Sequence, residues 1–64
     1  MRYTVNLRVS AHGYVVAEPY EVSAGNKKSA ESIASAMALD KHGQDNVTEI
    51  EVISAAEVRA NATA

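Results

Sequence analysis

Residues 2–10, RYTVNLRVS, alternate without a break: Tyr3, Val5, Leu7 and Val9 fall on one face of an extended chain, and Arg2, Thr4, Asn6, Arg8 and Ser10 fall on the other. No other segment constrains the fold as firmly, because a strand with one apolar face needs neighbouring strands and a layer to cover it. AHGY follows, and His12-Gly13 reads as a two-residue hairpin turn in which glycine tolerates the positive φ required. If Ala11 and Tyr14 close that turn, Val9 meets Val16, Val5 meets Tyr20 and Tyr3 meets Val22. The same register sets Glu18 opposite Leu7 on the apolar face. That marks either a bulge near Glu18-Pro19 or a carboxylate placed there for use. Pro19 lacks an N–H, so the second strand, about 14–24, is expected at the edge of the sheet.

AGNKKSAESIASAMALDKHG carries the pattern of a helix over about 27–42. Asn26 or Ser29 can cap its start, and Ala30, Ile33, Ala34, Met37 and Ala38 recur at spacings of three and four as the expected buried stripe. VTEIEVIS returns to period two and predicts a third strand over about 47–54, with Ile50 and Val52 facing in and Glu49, Glu51 and Ile53 facing out. The alanine-rich end reads as a strand extension or turn leading to a tail over 57–64 that is expected to fray.

One domain over 1–64 is therefore expected, of the α+β class, with β-β-α-β order. A right-handed crossover puts the third strand beside the first, giving sheet order 2-1-3 with one helix on one face. Arg2 and Arg8 on the outer face of the first strand are expected to meet Glu49 and Glu51 on the third, which would then run antiparallel to it.

A chain of 64 residues has a thin core and gains from a partner or a second copy. The absence of cysteine excludes disulfide and thiolate-metal staples, and with no membrane span and no secretory pattern the expectation is a cytoplasmic protein. A net charge of -2 without a basic run, and aromatic content limited to three tyrosines, argue against nucleic acid as a partner.

The densest group of potential ligands is Asp40, His42 and Asp45. It reads as a helix end: Lys41 and His42 suit the negative end of the helix dipole, Gly43 is the usual stop, and Asp45 and Asn46 form the following turn. One His and two loop carboxylates fall short of a metal set, no Ser sits in a nucleophile elbow, and the three isolated glycines make no phosphate cradle. No catalytic, cofactor or metal residues are assigned, so an enzyme is not expected. The competing reading builds a minor catalytic or metal site from Glu18 with His12 or His42.

At 100° per residue, Lys28, Ser32, Ser35, Ala36 and Leu39 fall opposite the apolar stripe, where small residues ending in Leu39 are expected to form a docking strip for a partner. Ile53 on the outer sheet face and the open edge of the third strand add further contact routes, to a foreign protein or to a second copy as a homodimer.

Two resemblances follow. YTVNLRV, YEVSAGNKKSAESIA and VTEIEVIS resemble the rhythm of the short β-β-α-β proteins of phages and mobile elements, of which the DpnD/PcfM-like group is one. That likeness implies an accessory or inhibitory protein that binds a host or phage protein complex. RYTVNLRVSAHGYVVAEP followed by AGNKKSAESIASAMAL resembles the start of HicB-type antitoxins, implying neutralisation of a small RNA-cleaving toxin. The outer sheet face, through Arg2 and Arg8, offers a nucleic-acid-binding alternative.

Overall fold

The protein is described by a computed structural model covering residues 1–58. The chain runs β1 (Arg2–Ala11), β2 (Tyr14–Ser23), α1 (Lys27–His42) and β3 (Val47–Glu57), and the strands form one antiparallel sheet in the order β2-β1-β3. The helix covers one face, so this is the expected small α+β fold. The expected tail over 57–64 lies largely outside the described residues.

The alternation in β1 does what period two dictates: Tyr3, Val5, Leu7 and Val9 are buried, and they form the core with Tyr20 and Val22 of β2 and Ala30, Ala34 and Ala38 of α1. Every pair from Arg2↔Ser23 to Ala11↔Tyr14 keeps one register, with Gly13 at φ 95° in the turn. Hence no bulge forms at Glu18. It sits in a regular pair with Leu7, and Pro19 faces no pairing conflict because β2 is an edge strand.

Asn26 provides the helix cap, its side-chain oxygen accepting the Ser29 N–H at 2.8 Å, so of the two candidate caps it is Ser29 that supplies the donor. Gly43 ends the helix at φ 89° while its N–H donates to the Leu39 carbonyl at 2.8 Å. The helix packs through a single row of alanines, which lets its axis approach the sheet closely. Ile33 and Met37 were expected in the buried stripe but remain 40% and 41% exposed. On a helix they lie about 60° and 20° to one side of Ala30, away from Ala34 and Ala38, so closure on the alanine row turns them onto a flank.

The bulges lie between β1 and β3. Leu7 pairs with Val52 and Asn6 with Ser54, which leaves Ile53 without a partner across the ladder and 56% exposed. The outer-face ion pairs form in part. Arg8 Nη1 lies 3.3 Å from Glu51 Oε1, but Glu49 faces Ser10 and Arg2 faces Ser23, because Arg2 and Arg8 are six residues apart on β1 while Glu49 and Glu51 are two apart on β3, so no single antiparallel register pairs both. Among the described residues, no helix is long and apolar enough to cross a membrane.

Candidate functional site

Two features flank α1, one polar and one apolar. The polar one is built on Glu18. Along β2, Tyr14, Val16, Glu18, Tyr20 and Val22 share the inner face, and α1 returns along that strand until its last residues lie beside Tyr14 and Glu18. A carboxylate there loses water, and three donors replace it. The Tyr20 hydroxyl donates to Glu18 Oε1 at 2.6 Å, His42 Nε2 donates to the same oxygen at 3.0 Å, and Lys41 Nζ donates to Oε2 at 3.1 Å. Tyr20 above all, then His42 and Lys41, outweigh the burial that opposes ionisation and hold the Glu18 carboxyl down at about 2. The Tyr20 phenol is pushed up to about 12 by burial and by the carboxylate it serves.

An ionised carboxylate only accepts hydrogen bonds, so Nε2 of His42 carries a proton. The other ring nitrogen, Nδ1, lies 2.9 Å from the Tyr14 hydroxyl, with the two rings tilted at 49° and their centroids 5.7 Å apart. Asn46 Nδ2 donates to the same hydroxyl at 3.3 Å. Asn46 is held in turn by its backbone: its carbonyl accepts from His12 N–H at 2.9 Å and its N–H donates to the Gly43 carbonyl at 2.9 Å. The chain of contacts therefore runs Asn46, Tyr14, His42, Glu18.

This arrangement changes the reading of the helix end. Lys41 and His42 do occupy its last turn, but both also reach Glu18. Asp40 and Asp45 are exposed, and among the described residues no group of three or more His, Asp or Glu side chains converges to hold a metal ion. Of the two histidines weighed with Glu18, it is His42 that meets the carboxylate, while His12 stays in the exposed hairpin turn.

The second feature is an open groove of about 480 Å³ between α1 and β3, lined by Lys28, Glu31, Ser32, Ser35, Ala36, Leu39 and Val52. The five helix residues expected on the face opposite the sheet thus border the flank beside β3, and Ser35 and Leu39 are half-buried there. The cause is again the alanine row, which tips this face toward β3. Ile53, expected on the outer sheet face as a separate contact route, is exposed and does not line the groove. Val52 forms the floor instead, with its side chain left partly uncovered. Among the described residues, no strand pairs with the far side of β3. No family model, curated protein or solved structure matches the chain.

Proposed function

We propose that the protein is a non-catalytic protein-binding module that captures an extended segment of a partner protein along the free edge of β3. The observation that carries this reading is the coincidence of a β3 edge that pairs with no strand among the described residues and a largely apolar groove directly beside it. A strand added to β3 would satisfy the backbone groups of that edge, and its alternate side chains would point into the groove above Val52 and beside Leu39. Ser32, Ser35 and Ala36 are small, which leaves room for aliphatic side chains rather than aromatic ones. On the outer face the added strand meets Glu49 and Glu51, so the partner's outward positions favour Lys or Arg.

A second copy fits less well. The bulge at Ile53 divides the edge, and two-fold antiparallel pairing centred at residue 49, 50 or 51 sets Glu49 or Glu51 against a glutamate of the other copy. Light scattering over a range of concentrations is expected to give a monomer, and a stable dimer would remove the edge from consideration. An accessory or inhibitory protein of a phage or mobile element, acting on a host complex in the cytoplasm, is the setting in which such capture is most useful. Neutralising a small toxin would be another use of the same edge. Arg8 is engaged by Glu51, which weakens the nucleic-acid alternative.

Selection from a random peptide display library tests the reading. The enriched peptides should share aliphatic residues at every second position with Lys or Arg between them, and Leu39→Asp should weaken their binding by about tenfold or more. Peptides lacking that period, or equal binding to the variant, would refute capture at this edge.

A further inference from the structure

The polar feature on the other flank lies apart from the β3 edge, and its geometry goes beyond the needs of a structural ion pair. We propose that Tyr14 is a primed nucleophile, with His42 as its general base and Glu18 as the positioning residue, and that its hydroxyl accepts a phosphoryl group from an activated donor.

The argument rests on where the protons sit. Glu18 Oε1 takes the Nε2 proton of His42, so in the neutral ring Nδ1 is the free lone pair, and it lies 2.9 Å from Tyr14 Oη. Asn46 Nδ2 already occupies one acceptor direction of that hydroxyl, which leaves its own proton directed at Nδ1. A nucleophile within hydrogen-bond reach of a base, with the base oriented by a third group, is the arrangement that activates weak oxygen nucleophiles. Burial differs along the chain in the sense this requires. Glu18 and His42 side chains are 19% and 10% exposed, whereas Tyr14 is 40% exposed and accessible to a reagent. The other tyrosines are arranged differently. The Tyr20 hydroxyl is spent on Glu18, Tyr3 points at the Met1 sulfur, and both are buried.

In the transfer, a lone pair on Tyr14 Oη forms the bond to phosphorus as the bond to the leaving group breaks and its electron pair departs with that group. The phenolic proton passes to His42 Nδ1, giving an imidazolium held against Glu18, and is then released to water. Asn46 Nδ2 stabilises the charge developing on Oη. The product is an aryl phosphate ester and the process is stoichiometric, consistent with a protein that does not turn over substrate.

The probe is diisopropyl fluorophosphate, with fluoride as leaving group, followed by intact mass and peptide mapping. At neutral pH Tyr14 should be labelled faster than N-acetyltyrosinamide by about tenfold or more, the lower side of what general-base assistance supplies. His42→Gln should return Tyr14 to the reference rate. Glu18→Gln should slow labelling and alter its pH profile, since a Gln side chain does not impose the same ring orientation. Tyr3 and Tyr20 act as internal gauges, because label appearing there means that a variant has opened. The wild-type profile needs no variant: with the relay the rate levels off well below about pH 10, where an unassisted phenol ionises. A wild-type rate equal to the reference, a profile that climbs to phenol ionisation, or labelling of folded His42→Gln at the wild-type rate would each overturn the proposal.

Discussion

The two flanks of α1 solve the same problem in opposite ways. Beside β2, a charged residue occupies a core position, and the helix end closes over it with Lys41 and His42, while Tyr20 and Tyr14 complete the contacts. Beside β3, Ser32, Ser35, Ala36 and Leu39, together with Lys28 and Glu31, line an open groove in which Val52 is left partly uncovered. The polar flank is the closed one and the apolar flank is the open one, the reverse of what hydrophobicity alone would arrange. A partly buried carboxylate is costly unless donors replace the water it loses, and the donors Lys41 and His42 tie the helix end to it. The alanine row fits that position, and the uncovered surface falls on the side with no such demand. Stability is concentrated on one flank and availability on the other.

Breaking the polar flank should have the largest effect. Glu18→Ala leaves the Tyr20 hydroxyl and the His42 Nε2–H without their acceptor, and since hydrogen bonds to charged groups contribute about 1.5–3 kcal/mol, a loss of about 3 kcal/mol in urea unfolding is expected. In a domain this small, that is a large part of the total. The pH dependence sharpens the same point. The Glu18 carboxyl is held at about 2 against an ordinary 4.5, so its contribution is complete above about 4.5 and lost as the pH falls toward 2. Tyr20 is displaced the other way, to about 12 from 10, so its contribution is present below about 10 and lost as the pH rises toward 12. Thermal unfolding followed across both windows should show an acid limb in the wild type that Glu18→Gln flattens. An acid limb unchanged in that variant would mean that another carboxylate is responsible.

Leu39→Ala comes next. Leu39 is half-buried in the groove, so a loss of about 1 kcal/mol is expected, well short of the 2–5 kcal/mol typical of a fully enclosed Leu. A loss as large as that of Glu18→Ala would show the β3 flank to be closed, and the contrast between the flanks would fail.

How far these flanks could be read from the sequence differs for physical reasons. The sheet order and the β1–β2 register follow from period two and the His12-Gly13 turn, because shifting a strand by one residue would expose Val5, Leu7 and Val9 together. Glu18 is visible in the sequence as a misfit on the apolar face, and His42 at the helix end as one of its two candidate histidine partners, but spacing along the chain does not choose between His12 and His42. The lengths carried that signal. A helix of 16 residues is about 24 Å long, and eight steps of strand from Val22 back to Tyr14 cover about 26 Å, so a helix returning along β2 must end beside Tyr14 and Glu18. The tilt of the helix was not legible in this way. Ile33, Met37 and the alanines all satisfy a helical stripe, and small residues decide the closest approach only when the opposing surface is known. The bulge at Ile53 has no local signature in VTEIEVIS either, since an extra residue is accommodated by the ladder rather than announced by a Gly or Pro.

The smallest expected change in stability carries the clearest functional contrast. Val52→Lys places a charged side chain at a position already partly in water, where substitutions usually stay within about 0.5 kcal/mol, and the long stem can lie along the groove with its ammonium group outside. Folding should therefore be nearly unaffected, as should the rate of Tyr14 labelling on the far flank. Capture of the selected peptides should nevertheless fall by about tenfold or more, because the stem fills the space that their aliphatic side chains would occupy. A variant that binds as well as the wild type would show that the groove is not read by the partner, and one that unfolds would show that Val52 belongs to the core. Loss of binding with folding and labelling intact would separate the flanks: the closed one holds the fold and the open one meets the partner.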